Sequence, residues 1–357
     1  ALVCSLLLFM TGGLSSFMPL GEAISHAFIM GTYPAEEADV LAAERAYCEM
    51  EKELEDELDH YEARHPGCDE YNVKAQEIWH DPYALCAIIS AYLGGEEWTI
   101  DSAYPVMECY FKLQYVLTEK ITTETRYRTE QRVGQQLVTD SKTGAQRWES
   151  YTYEIEVPYT YRICDVKLEN KNLSHQPVYS MSREKMGLYA LYMSTLGNMP
   201  DLFAGKPHAS QLKDPLLYDV PEEYKQADPQ FGKLIEEAEK YLGFPYVWGG
   251  SSPDTSFDCS GFVSYVFTNS GVYNTGRLGA TGLYGICQKI TADEARPGDL
   301  IFFEGTMGED VGGITHVGLY VGDNMMIHCG NPITYADLTR SYWQQHFYGF
   351  GRIPYDP

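Results

Sequence analysis

Two short apolar runs, Thr315-His316-Val317-Gly318-Leu319-Tyr320-Val321 and Met325-Met326-Ile327-His328, are separated by the turn residues Gly322-Asp323-Asn324. That pattern predicts a β-hairpin, and a hairpin restricts the fold strongly because its register decides which side chains can meet. The midpoint of positions 316 and 328 falls on Gly322, so His316 and His328 are expected opposite each other across the hairpin. Their even separation puts both on one side of the sheet. One imidazole is then placed to act as a base while the other holds its far nitrogen.

A thiol suited to such a pair lies upstream. Phe257-Asp258 is turn-prone, and Ser260 to Phe267 carries Phe262, Val263, Val266 and Phe267 on one helical face, so Cys259 is expected in the first turn of a helix. Unpaired N–H groups and the macrodipole there favour a thiolate over a thiol. Tyr246-Val247-Trp248-Gly249-Gly250 reads as an aromatic strand end and a glycine turn that leaves space for a peptide backbone. A single cysteine is ordinarily an inert small hydrophobe. Combined with His316 and His328, Cys259 instead reads as the nucleophile of a cysteine hydrolase. A zinc site on the same three residues lacks the close ligand pair such sites use, so no metal and no cofactor are expected.

Residues 232–357 resemble the NlpC/P60 cell-wall peptidases in four ordered blocks: YLGFPYVWGG, FDCSGFVSYVF, RPGDLIFF at 296–303 and THVGLYVGDNMMIH at 315–328, with a closing FGRI at 350–353. The resemblance implies a papain-like α+β domain, helices packed on an antiparallel sheet. By it Cys259 is the nucleophile, His316 the general base and acid, and His328 the orienting residue. It also places the Tyr246 hydroxyl and the Cys259 N–H at the oxyanion, and Asp258 and Ser260 against the substrate stem peptide near its free amine. The bond it implies joins γ-D-glutamate to the following diamino acid of peptidoglycan. Cys329 departs from the pattern, standing where a small residue such as alanine is usual, either as buried filler or as a redox liability. The order of nucleophile before histidine argues against the permuted acyltransferases of the family and leaves a CHAP-like amidase or endopeptidase as an alternative. A wall-binding assembly module that recognises stem peptides without cutting them is a further one.

Upstream, residues 31–68 are read as an acidic amphipathic helix, with Val40, Ala43, Tyr47, Met50, Leu54, Leu58 and Tyr61 in one stripe. Residues 69–203 are read as a small α+β domain: helices at 82–89, 104–117 and 182–196, a turn at Ser141-Lys142-Thr143-Gly144, and a long half-buried strand in which Tyr151, Tyr153, Ile155, Val157, Tyr159, Tyr161 and Ile163 alternate. His60, His65, His80 and His175 are expected at the surface or as caps. Positions 204–230 read as a linker and 231–357 as the peptidase domain. HPGCDEYNV and HDPYALCAIISAYLG resemble wall hydrolases carried by conjugative elements of Gram-positive bacteria, which implies a conjugation or secretion channel as partner. Leu2 to Met10, within residues 1–30, reads as the remnant of a transmembrane anchor or signal segment, placing the enzyme outside the cytoplasm and facing the wall. A net charge of −25 argues against nucleic-acid binding. Nine cysteines without a CxxC do not make a disulfide scaffold, though the spacing leaves open one or two bridges among Cys48, Cys68, Cys86, Cys109 and Cys164.

Overall fold

The structure is a computed structural model that describes residues 31–307 and 312–354. The anchor or signal segment expected in residues 1–30 lies outside them. No helix among the described residues is long and apolar enough to cross a membrane. Eight cysteines, including the five considered for bridges, are free thiols. Contacts divide the chain into two units, the first comprising the described parts of Ala1–Cys48, Trp79–Gln114 and Lys171–Pro357, the second Glu49–Ile78 and Tyr115–Asn170. The boundaries read from sequence therefore do not coincide with the breaks between these units. The expected acidic helix forms as α1 (Glu37–Asp59), with Val40, Ala43 and Tyr47 of the stripe fully buried.

The second unit is built on one long strand. β3 (Gln146–Asn170) pairs antiparallel with β2 (Tyr115–Thr139) along its whole length, and parallel with β1 (Glu70–Ala75) between Ile163 and Leu168. β2 escaped the sequence reading because Thr, Glu, Arg and Gln occupy both of its faces and leave no apolar alternation. The alternating residues of β3 do share a face, but much of that face meets side chains from β2 and not a core. The Arg126 guanidinium lies 3.4 Å from the centre of the Tyr161 ring, and Tyr151 and Tyr153 remain 44% and 43% exposed.

In the first unit, α2 (Pro82–Tyr92) starts where the Asp81 side chain accepts the Tyr83 N–H, and it is buried along nearly its entire length. α3 (Ile100–Gln114) and α4 (Arg183–Thr195) pack beside it. The remainder is a six-stranded antiparallel sheet with α5 (Pro229–Glu239) and α6 (Cys259–Asn269) on one face. Its strands are β4 (Gln288–Ile290), β5 (Leu300–Glu304), β6 (Ile314–Gly322), β7 (Met325–Cys329), β8 (Ile333–Asp337) and β9 (Phe347–Arg352), in the spatial order β8-β7-β6-β5-β9-β4. Strand alternation divides the core. Leu300, Phe302, Val317 and Leu319 meet Phe262, Val263 and Val266 of α6, whereas Ile301, Phe303, Met326 and Phe350 form a second cluster. The expected α+β class is what is observed.

Part of the segment read as a linker is structural. The Tyr218 and Tyr224 hydroxyls donate to the two oxygens of Asp323, at 2.9 and 2.8 Å, in the turn between β6 and β7. Val220 is 6% exposed in the main core, and the Leu216 N–H donates to Thr334 Oγ1 at 2.7 Å. A fragment of residues 231–357 should therefore be less stable than one of residues 214–357. The loss is about 2–4 kcal/mol, from one buried valine and the hydrogen bonds to the turn. Urea titrations of the two fragments measure it.

Candidate active site

Cys259 is the first residue of α6, and Asp258 is its N-cap. Four donors hold the Asp258 carboxylate. Oδ1 accepts the Gly261 N–H at 2.6 Å and the Ser260 hydroxyl at 2.9 Å, and Oδ2 accepts the Gly249 N–H at 3.2 Å and an N–H of Arg277. The glycine-rich turn passes so near the helix that a Cβ on Gly261 would stand 2.2 Å from the Gly250 carbonyl oxygen, which is why α6 begins Cys-Ser-Gly. Val247 N–H donates to Phe257 O at 2.8 Å and Asp258 N–H to Gly250 O at 2.9 Å, fastening the turn to the segment that carries Cys259.

His316 and His328 meet as expected, with His316 Nε2 and His328 Nδ1 2.9 Å apart, but in a different register. The hairpin turns on Asp323-Asn324, so that Gly322 faces Met325, and a bulge between Tyr320 and Gly322 then moves the register by one residue, leaving His328 opposite Gly318 and not His316. The two imidazoles touch diagonally across the position that Gly318 leaves empty. On the other side of His328, a Cβ on Gly330 would stand 2.8 Å from the ring. Trp343, in the short helix α7 (Ser341–His346), stacks on His316 at 5.7 Å and meets His328 edge-on at 5.0 Å. Phe303 lies 6.0 Å from His316. Sequence reasoning missed Trp343 because the hydrophobic pattern there gave no function to a lone tryptophan.

The Cys259 sulfur borders the backbone on both sides of His316. Sγ lies 3.9 Å from the Thr315 carbonyl, and the Val317 and Ser260 N–H groups favour its charged form. Burial nevertheless pushes the Cys259 thiol up to about 12, with the Asp258 charge adding to the rise, while burial pushes His316 down to about 4. His328 is held lower still by burial and by its neighbour. Burial thus favours a thiol and a neutral imidazole, against the thiolate expected from the helix start alone. Desolvation outweighs the dipole because Cys259 is only 6% exposed. Tyr246 lies within electrostatic reach of Cys259 and Asp258, and burial first, then those two groups, raises its hydroxyl well above the usual range, keeping the proton on the oxygen. Cys329 is fully buried and its S–H donates to Phe257 O at 3.2 Å, so it ties β7 to the segment that carries Cys259 as a neutral thiol.

Of the four histidines expected at the surface or as caps, one is buried. His80 is buried, with Nε2 2.8 Å from Glu44, whereas His60 and His65 are exposed beside Asp56 and Glu57. His175 stacks on Trp248 at 4.0 Å, and the Trp248 Nε1–H donates to the Tyr179 hydroxyl at 3.4 Å. Burial lowers His175 to about 4, so the ring stacks uncharged. Arg183 pairs with Asp254 at 2.6 Å. Residues 175–183 thereby buttress the turn that carries Tyr246.

A buried thiol beside two coupled imidazoles defines a site for thiol chemistry. The NlpC/P60 family model matches residues 243–352, and that part of the chain belongs to the NlpC/P60 family. The bifunctional muramidase/DL-endopeptidase CwlT of Bacillus subtilis is 46% identical over 121 residues, covering 34% of this chain and 36% of that protein. The probable endopeptidase p60 of Listeria seeligeri is 47% identical over 122 residues, covering 34% and 22%. The gamma-DL-glutamyl hydrolase of B. subtilis is 34% identical over 143 residues, covering 39% and 30%. The chain therefore spans little more than a third of the first of these relatives and less of the others. A solved NLP/P60 family structure from Staphylococcus aureus is 30% identical, with a TM-score of 0.34, over 51% of this chain and 65% of that one.

A neutral, buried Cys259 should be alkylated by iodoacetamide at pH 6.5 no faster than exposed Cys48 or Cys109, and its rate should climb as pH rises toward its raised pKa. Peptide mapping after brief labelling checks this. Selective labelling of Cys259 at pH 6.5 would show a preformed thiolate.

Proposed function

We propose that the chain is a peptidoglycan endopeptidase that hydrolyses a stem-peptide bond, γ-D-glutamyl to diamino acid, through Cys259. The observation that carries this reading is the Cys259 thiol set against the backbone of His316, whose Nε2 is engaged by His328, within the family-matched segment. With Nε2–H donating to His328, His316 presents a lone pair on Nδ1. The reaction requires the Cys259 side chain to rotate from Thr315 O, 3.9 Å away, to that nitrogen. The S–H proton passes to His316 as sulfur attacks the scissile carbonyl carbon, and the oxyanion is met by the Tyr246 hydroxyl and the Cys259 N–H. Collapse expels the amine of the diamino acid, which takes the proton back from His316. Water, deprotonated by the same imidazole, then cleaves the thioester and restores the thiol.

The relatives named as a DL-endopeptidase and a gamma-DL-glutamyl hydrolase support the choice of bond. Such a substrate implies a location outside the cytoplasm. Opening the wall locally for a conjugation or secretion channel is the role we assign to the whole protein, on the resemblance of residues 30–203. Absence of any turnover together with tight muropeptide binding would favour the non-cleaving module instead.

Mass spectrometry of muropeptides incubated with the chain tests the activity. Cys259→Ala and His316→Ala should each abolish cleavage, and the double variant should be no worse than either single one, because the two act as a unit. His328→Ala should retain a measurable fraction, since water replaces part of an orienting group. Parental release of fragments by Cys259→Ala would refute the assignment.

The pH profile follows from burial. His316 works as a base only when neutral, and its lowered pKa keeps it neutral down to about 4. Activity should therefore persist well below pH 6.5 and be lost as pH falls through about 4. The acid limb of kcat/KM on a soluble stem peptide measures this.

A further inference from the structure

Asp258 and Ser260 were expected to lie near a substrate amine, but both oxygens of Asp258 are already occupied and Ser260 keeps one lone pair. Each Asp258 oxygen accepts two hydrogen bonds, and the Ser260 hydroxyl donates to Asp258 while accepting from Arg277 Nη1 at 3.0 Å. The group exposed at this rim is Arg277, whose side chain is 40% accessible while that of Asp258 is 11%. Nη1 also donates to Leu278 O at 2.8 Å, and Nη2 donates to Asp258. A guanidinium has five N–H donors. Those three bonds leave Nε–H and one Nη2–H without an acceptor among the described residues. An amine arriving here meets a cation, whereas a carboxylate meets a cation with two donors to spare, anchored through Ser260 to the residue next to the nucleophile.

We propose that Arg277 binds a free carboxylate on the acyl-donor residue of the substrate, so that the enzyme selects γ-glutamyl donors whose α-carboxylate is free over those in which it is amidated. The inference rests on the proposed endopeptidase reading. In a γ-glutamyl donor the α-carboxylate carbon stands four bonds from the scissile carbonyl carbon, about 5 Å when extended. That reach is comparable to the step of about 3.8 Å between the Cα atoms of Cys259 and Ser260. A carboxylate takes the planar guanidinium edge in two parallel bonds, whereas a carboxamide is neutral and turns an NH2 toward a cation on one side. The Arg277 charge also opposes the burial-driven rise of the Cys259 thiol, which places it within electrostatic reach of the sulfur.

Two synthetic peptides test this, L-Ala-γ-D-Glu-diamino acid with the glutamyl α-group as carboxylate or as carboxamide, given to the full chain. The wild type should favour the carboxylate by about tenfold to a hundredfold in kcat/KM, as expected for a charge-assisted hydrogen-bond pair. Arg277→Gln should bring the ratio to about one even where total activity falls because Asp258 and Ser260 lose a partner, and Arg277→Lys should keep part of the preference. Equal cleavage of both peptides by the wild type, or an equal fall for both in Arg277→Gln, would overturn the proposal. Calorimetric binding of the two peptides to Cys259→Ala gives the same comparison without turnover. If the wild type cuts neither peptide the endopeptidase reading fails, and the carboxylate site still stands or falls on whether Cys259→Ala binds the carboxylate peptide more tightly.

Discussion

Four donors converging on the Asp258 carboxylate set the position of the thiol. The carboxylate caps α6, holds the glycine turn through Gly249, and draws Arg277 across Ser260. Each of these groups lies next to the sulfur in sequence or across the turn, so one buried carboxylate fixes the start of the helix, the Tyr246 turn and a cation together. Buried donors of this kind are costly to strand, about 1–3 kcal/mol each. The arrangement therefore has little freedom to drift. The close pass of Gly250 over Gly261 adds a steric limit to the electrostatic one.

Burial has a second consequence at the histidines. With Trp343 and Phe303 over the pair, both rings are desolvated, and a charge on either is disfavoured until a substrate or the developing reaction supplies compensation. Burial thus favours the uncharged forms of the Cys259 thiol and of both imidazoles. The buttress at His175 and Tyr179 follows the same logic, with an uncharged ring stacked flat on Trp248.

Much of this was legible in the chain itself. Cys259 on a helix start, the hairpin of His316 and His328, and their shared face followed from periodicity and turn chemistry. The register did not, because the turn closes on Asp323-Asn324 and not around Gly322, with a one-residue bulge at Tyr320/Gly322 beyond it, and Gly318 makes the diagonal contact possible. Arg277 was invisible for a related reason: its partners Asp258 and Ser260 are 19 and 17 residues away and meet it only in the folded chain. Burial runs against the thiolate expectation, because a helix-start argument counts a local dipole and omits the solvent removed by distant strands. β2 stayed hidden because a strand exposed on both faces has no pattern of burial to display.

The long ribbon of β2 and β3 carries a liability that its composition answers. Among the described residues β2 has a strand partner on one side only, and β3 gains β1 only from Ile163 onward, so open backbone edges run for many residues. Edges of that length invite pairing with other chains. Glu124, Arg126, Arg128, Glu130 and Arg132 stand along the strand in alternating ion pairs, and a β3 row of Tyr and Ile that would otherwise be adhesive is interleaved with Thr152, Glu154, Glu156 and Thr160. Solubility of this element is thus a matter of side-chain charge held along an open backbone, and it is sensitive to salt in a way that a closed sheet is not.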